Sequence, residues 1–225
     1  MTRPYRRLLL AAAALLPLAA RAAGRLSETD AAGGVREALA RGAEAAVAQL
    51  GRTDGFLGNP RLRIPLPGYL NDAAKLMRKL GQGERVDALE TAMNRAAEAA
   101  VPEARTLLVQ TVKDISVEDA LRIVRGGDTA VTDFFAGKTR APLTDRFLPI
   151  VTRETEKVQL ADKYNAVAGK AAGLGLLKGK DANLQQYVTA KALDGLYAVI
   201  GEEEKKIRRD PVSTGSALLR KVFGG

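Results

Sequence analysis

The amino-acid sequence predicts an all-α protein, because apolar residues recur at helical spacing along almost the whole chain. Alanine is abundant, and the alternating runs of β-branched and polar residues that indicate strands are missing. We predict a single helical domain of about nine or ten helices with one long, ordered loop that contains proline and glycine. The predicted helices cover residues 30–51, 68–81, 83–101, 103–114, 117–125, 129–139, 143–158, 160–175, 184–208 and 211–223.

Capping residues, glycines and prolines set the predicted helix boundaries. Ser116 begins a sequence that resembles a capping box, with Asp119 in the place of the usual glutamate. The glycines at 126–127 end one helix, and Asp128 is placed to cap the next one. Pro211 fits the first turn of the last helix, where a missing N–H costs no hydrogen bond.

The helix over 184–208 carries the clearest apolar stripe, formed by Val188, Ala192, Leu196, Val199 and Ile207. Three glutamates and two lysines follow at 202–206, and their spacing allows i,i+3 and i,i+4 charge pairs. We therefore predict that this charged run is a solvated helix end.

The only long non-helical stretch covers 52–67 and reads RTDGFLGNPRLRIPLP. Its three prolines and two glycines exclude a continuous helix. Its apolar residues predict that the loop is packed against the helices: Phe56, Leu57, Leu62, Ile64 and Leu66. Because ordered loops of this length are uncommon inside a compact domain and are often functional, the loop is a candidate recognition element.

The first 22 residues have the pattern of a secretory signal peptide. Arg3, Arg6 and Arg7 precede an apolar run over 8–20, and Ala20-Arg21-Ala22 resembles a cleavage site. The run is shorter than the roughly 20 apolar residues that span a bilayer. We therefore predict a signal peptide over 1–22, a domain over 23–225, and location in the periplasm of a Gram-negative cell.

Removal of the signal peptide lowers the formal charge from +9 to +5, because it leaves 31 basic and 26 acidic residues. The remaining basic residues are scattered, and the chain has only five Tyr, five Phe and no Trp. Nucleic-acid interfaces favour a basic stripe with stacking aromatics, so we predict no nucleic-acid binding.

The chain also lacks cysteine, which excludes disulfides and the acceptor of a lipoprotein anchor. No later apolar run reaches membrane-spanning length, and we predict no transmembrane segment in the mature chain.

The chain contains no histidine. This absence excludes Ser-His-Asp and Cys-His catalytic sites and ordinary zinc sites, and it leaves only Asp, Glu, Lys, Tyr or Ser/Lys chemistry to an enzyme. A binding function is therefore favoured over catalysis. We predict no cofactor and no metal.

Six polar residues are candidates for one ligand-binding site: Asp54, Asn59, Arg63, Asn94, Arg95 and Asp128. The two arginines have the geometry to clamp a carboxylate or a phosphate, and the two aspartates offer acid–base or cation-binding oxygens. Each residue also has a structural interpretation as a turn, a helix cap or a partner for loop carbonyls. The sequence alone leaves open whether the six converge.

Several stretches of the chain resemble the bacterial family known as domain of unknown function 4197. They include TDGFLGNP at 53–60, RIPLP at 63–67, MNRAAE at 93–98, GGDTA at 126–130 and KALDGL at 191–196. Shorter matching stretches lie at 118–120, 202–204, 207–208 and 210–211. The resemblance implies an exported, mainly helical bacterial protein. No activity or site residue is established for the family, so none is transferred to this chain.

Three functional hypotheses follow. The leading one is a soluble periplasmic protein that binds a protein partner or a small anionic ligand, with the 52–67 loop as recognition element and Asn94 and Arg95 beneath it. The second is an enzyme that uses Asp54, Asp128 or Tyr164 as the reactive group and Arg63 or Arg95 to hold an anionic substrate.

The third hypothesis is peripheral association with the envelope through an amphipathic helix over 211–223. A short C-terminal helix docked on the domain is the alternative interpretation of that segment.

Overall fold

Helices provide all the regular secondary structure of residues 27–157, 165 and 183–224, which are the residues described by the computed structural model. No strand occurs in these ranges, which confirms the predicted all-α class. The predicted signal peptide over 1–22 and the predicted helix over 160–175, with Tyr164, lie outside the described residues.

The α-helices, numbered here in chain order, are α1 (Glu28–Leu50), α2 (Asn71–Lys79), α3 (Gly83–Ala100), α4 (Ala104–Lys113), α5 (Val117–Arg125), α6 (Ala130–Glu156), α7 (Leu184–Arg209) and α8 (Ala217–Phe223). Two 3₁₀ turns, Gly68–Leu70 and Val101–Glu103, precede α2 and α4. Ser27 and Asp30 form a capping box at α1, and the Ser116 side chain accepts from the Asp119 backbone N–H at α5, as predicted.

The described ranges hold fewer helices than the nine or ten predicted. The helices predicted over 129–139 and 143–158 are one helix, α6, which contains Pro142 and Pro149. Its buried residues follow a strict four-residue spacing across both prolines: Val131, Phe135, Thr139, Leu143, Phe147, Val151 and Thr155. Burial of this continuous stripe outweighs the backbone hydrogen bonds that the two prolines lack.

The C-terminal helix also differs from the prediction. Residues 211–214 form turns instead of the first turn of a helix, and α8 begins only after Ser216, whose side chain caps it. Leu219 and Val222 are buried, and Val222 packs so closely on Gly34 of α1 that a Cβ there would lie 2.5 Å from Val222 Cγ2. α8 is therefore docked on the domain, which favours the alternative interpretation of the 211–223 segment.

α7 lies at the centre of the fold and packs against α1, α3 and α6. Its buried side includes the predicted stripe from Val188 to Ile207. α3 packs against α6 and α7, and α2 packs mainly against α3 at the edge of the domain. This arrangement places the 52–67 loop, which joins α1 to α2, next to α3 and α7.

Candidate functional site

The 52–67 loop is packed into the helical core, as the sequence predicts. Phe56, Ile64 and Leu66 are buried and belong to the main apolar cluster. Gly195 of α7 makes room for the Phe56 ring, because a Cβ at position 195 would lie 2.6 Å from Phe56 Cε1. Close packing on α7 therefore fixes the first half of the loop.

A buried carboxylate on α3 binds the same half of the loop. One oxygen of Glu98 accepts hydrogen bonds from the backbone N–H groups of Phe56 and Leu57, each at 3.0 Å. Its other oxygen pairs with the Arg95 guanidinium at 2.6 Å, and Arg95 also pairs with Asp54 at 2.8 Å. The hydrogen bond to Glu98, and then that to Asp54, raises the pKa of Arg95 although partial burial opposes this.

Asp54 lies at the turn that the sequence predicts, and its φ of 65° is in the left-handed region. Aspartate adopts this region more readily than most residues, so Asp54 serves both the turn and the ion pair with Arg95. The two charges lie on the surface, with side chains 59% and 38% exposed.

Asn94 binds the second half of the loop and is completely buried. Its Oδ1 accepts from the Ile64 N–H at 2.8 Å, and its Nδ2 donates to the Ile64 carbonyl at 3.0 Å and the Glu90 carbonyl at 2.8 Å. This side chain satisfies both backbone groups of one loop residue, as a neighbouring β-strand would. Asn94 thus lies beneath the loop, where solvent does not reach it.

Asn59 and Arg63 lie within the loop itself. Asn59 Oδ1 accepts from the Arg61 N–H at 3.0 Å, and the Asn59 carbonyl accepts from the N–H groups of Leu62 and Arg63. The Arg63 guanidinium points away from this turn and pairs with Glu90 of α3 at 2.9 Å, with its side chain 47% exposed.

A groove of about 320 Å³ separates this part of the loop from α7, and most of its charged side chains are basic. Arg61 and Arg63 line it on the loop side, and Lys191 and Asp194 line it on α7. The Lys191 ammonium lies 5.8 Å from the centroid of the Tyr187 ring. We call this feature the basic groove; its other lining residues are Leu62, Ile64, Pro65, Gly195 and Ala198.

The charges of the basic groove are only partly balanced. Arg61 pairs with Glu202 and Arg63 pairs with Glu90. Asp194, the single acid of the groove, pairs with Arg140 at 2.9 Å. Lys191 is exposed and has no carboxylate partner in the part of the chain that the structure describes. The arrangement therefore offers a positive surface to an anion.

Asp128 lies outside this region. It is exposed in the turn before α6 and makes no hydrogen bond or ion pair within the described ranges. The predicted cap by Asp128 is wrong: the residue at the N-cap is Thr129, and no side-chain cap bond is present there.

Glu204 of α7 binds the first turn of α6 instead. Its two oxygens accept from the backbone N–H groups of Val131 and Thr132, each at 3.0 Å. Arg208, one turn further along α7, donates to the same carboxylate at 3.0 Å. Glu204 is only 3% exposed, so the prediction of a solvated helix end is wrong for this residue.

The structure thus divides the six predicted residues. Asp54 and Arg95 are in contact, Asn94 lies beneath the loop, and Asn59 and Arg63 belong to the loop, whereas Asp128 shares no bond with the others. Four residues of this region are not among the six predicted site residues: Glu98, Arg61, Lys191 and Asp194. The only available signal was the closeness of Glu98 to Arg95 and of Arg61 to Arg63 along the chain.

The described residues contain no group of three or more acidic side chains placed to hold a metal ion. None of the described helices is long and apolar enough to cross a membrane.

A family model whose description is "Protein of unknown function (DUF4197)" matches residues 25–224. No curated protein and no solved structure matches the chain.

Proposed function

The chain belongs to the DUF4197 family, whose description states no function, and we propose that it is an exported protein that binds a small anionic ligand without catalysis. The basic groove is the binding site in this proposal. The observation that carries it is the position of Lys191, an exposed cation without a carboxylate partner in the described ranges, opposite Arg61 and Arg63.

The size and lining of the groove support a small ligand. Its volume lies at the lower end of the range for ligand sites, roughly 300–1,000 Å³. Two guanidinium groups and one ammonium group suit a carboxylate or a phosphate, because arginine binds either anion through two parallel hydrogen bonds. The shared chemistry of the ligand is therefore a compact oxyanion.

The rigidity of the groove wall also favours binding. The Arg63 backbone lies between the turn at Asn59 and the Asn94 contacts to Ile64, so the loop is ordered before a ligand arrives. A preformed wall reduces the entropy that binding costs. No contact of the loop supports the enzyme hypothesis, because the Asp54 carboxylate is paired with Arg95 at the surface.

Isothermal titration calorimetry of the purified protein with inorganic phosphate and with succinate tests the proposal. We expect saturable binding of at least one anion, and a loss of about tenfold or more in affinity for Lys191→Ala and for Arg63→Ala. Arg105→Ala is the matched control, because Arg105 is also half exposed and paired, with Glu44, away from the groove.

Absence of saturable binding by the wild-type protein would exclude the proposed site for these oxyanions. An equal loss of anion affinity in Lys191→Ala, Arg63→Ala and Arg105→Ala would show that binding depends on net charge alone. Unfolding of Arg63→Ala, measured by circular dichroism, would show that this side chain is structural, and Lys191→Ala would then decide the question.

The proposed export rests on the N-terminal sequence. Expression in a Gram-negative host and fractionation should release a periplasmic form, and its intact mass should correspond to a chain that begins at Ala23. An unprocessed cytoplasmic product would contradict the signal-peptide prediction and leave the anion-binding proposal intact.

A further inference from the structure

α2 and the residue after it expose an apolar strip. Leu76 is 57% exposed and Leu80 is 66% exposed, and their spacing of four residues places them on one face. Ala74 and Met77, by contrast, are partly buried and pack on the core. Single exposed apolar residues are ordinary, but here two large ones lie next to each other at the edge of the domain. We call this pair the Leu76/Leu80 strip.

Basic residues border the strip. Lys75 directly precedes Leu76 and Lys79 directly precedes Leu80, and the sequence between 73 and 83 has three cations and no acid. Lys79 is exposed and has no carboxylate partner among the described residues. The third cation, Arg78, is directed to α3, where it pairs with Asp87 at 2.6 Å.

We propose that the Leu76/Leu80 strip docks on an anionic lipid surface. The leucines would enter the boundary between headgroups and acyl chains, and Lys79 would contact lipid phosphates while its stem covers apolar surface. The charge of the strip is complementary to anionic headgroups, each nearby lysine adding attraction. The proposed binding is peripheral, because the strip would reach only the headgroup boundary.

A lipid surface fits the strip better than a protein partner does. A stable protein interface covers roughly 800 Å² on each side and requires complementary shape. Two exposed leucines, on a helix of nine residues and at the residue that follows it, offer much less than this area, whereas a bilayer adapts to whatever shape it meets. This proposal is independent of anion binding in the basic groove.

Sedimentation with vesicles tests it. The purified protein is mixed with vesicles of phosphatidylglycerol and phosphatidylcholine, and with vesicles of phosphatidylcholine alone. We expect binding to the anionic vesicles that weakens as salt is raised, because surface charges are screened. Leu76→Ser/Leu80→Ser should lower the partition coefficient about tenfold or more, and Lys79→Gln should lower it about fivefold.

Val117→Ser/Val212→Ser is the matched control, because both valines are exposed elsewhere, at 40% and 62%, and the double variant should bind vesicles like the wild type. Lys191→Ala should also retain vesicle binding, which separates this proposal from the groove. Circular dichroism checks that every variant is folded.

Equal binding by the wild type and Leu76→Ser/Leu80→Ser would overturn the proposal, as would equal binding to neutral and anionic vesicles or no binding to either. Light scattering after gel filtration examines a further alternative. If the wild type is an oligomer and Leu76→Ser/Leu80→Ser is a monomer, the strip is a self-association surface and the lipid proposal is wrong.

Discussion

Replacement of Asn94 by alanine should destabilise the protein strongly although no charge or large apolar group is lost. Asn94 is fully buried, and its amide makes three hydrogen bonds, two of them to the N–H and the carbonyl of Ile64. Ile64 is itself only 1% exposed, so water cannot replace the lost partners unless the loop moves away from α3.

The magnitude follows from these contacts. Each hydrogen bond contributes about 0.5–1.5 kcal/mol net, and a buried backbone group left without a partner costs about 1–3 kcal/mol. The sum of these costs is an upper bound, because the loop can detach from α3 and let water reach the unpaired groups. We therefore expect the free energy of unfolding to fall by about 3 kcal/mol. For a chain of this length that corresponds to a decrease in Tm of roughly 6–12 °C.

Urea unfolding followed by far-UV circular dichroism measures this change. Asn71→Ala, at an exposed asparagine, is the control and should stay within about 0.5 kcal/mol of the wild type. Asn94→Asp retains the acceptor for the Ile64 N–H but loses both donors and buries a charge, so it should be destabilised as well.

Limited trypsin digestion provides a local readout of the same variant. If Asn94 holds the loop, cleavage after Arg61 and Arg63 should accelerate in Asn94→Ala before global unfolding sets in. A free energy of unfolding within about 0.5 kcal/mol of the wild type, together with unchanged cleavage, would refute the assigned role of Asn94.

Three further perturbations test the contacts that hold the helices. Gly195→Ala should lower the free energy of unfolding by about 1–2 kcal/mol, because the new Cβ meets the buried Phe56 ring. Gly137→Ala is the control in the same urea assay and should be neutral or stabilising, because Gly137 has open space around it in α6. Glu204→Ala should cost about 3–5 kcal/mol, since two backbone N–H groups and a mostly buried guanidinium lose their acceptor; a loss below about 1 kcal/mol would contradict this. Burial raises the pKa of Tyr197 above its usual value of 10.0. The stability that the protonated Tyr197 side chain contributes is therefore complete below pH 10 and is lost as the pH rises through the folded-state pKa. Tyr197→Phe should show a smaller decrease in the free energy of unfolding between pH 9 and pH 12 than the wild type.

The parts of the fold that depend on nearby residues were predictable. Helical periodicity and the cap at Ser116 are properties of a few consecutive residues, and the structure confirms both. The joined helix α6 was not predictable in this way, because Pro142 and Pro149 each weaken it locally. Burial of its stripe against α3 and α7, which no local rule contains, decides the outcome.

The candidate site shows the same limit. Glu98 and Glu204 resemble ordinary surface glutamates of charged helices in the sequence, yet each is buried and accepts two consecutive backbone N–H groups from a distant segment. Each also pairs with an arginine on its own helix, Arg95 or Arg208. The role of each glutamate depends on which backbone segment packs beside it with N–H groups that lack a partner. The identity of that segment is a property of the tertiary structure.

The stretches on which the family resemblance rests meet one another in three dimensions. The stretch at 53–60 contacts the stretch at 93–98 through the Asp54–Arg95 ion pair. It also contacts the stretch at 191–196, because the Phe56 ring packs on Gly195. The stretch at 63–67 contacts the stretch at 93–98 through the hydrogen bonds between Ile64 and Asn94. These contacts hold the loop to the helices, so the fold alone accounts for those residues. Function must therefore be sought in the side chains of these stretches that do not help to hold the loop to the helices. In the basic groove, Lys191 is the member of these stretches that meets this condition most clearly, and its replacement should change anion affinity while the fold is retained.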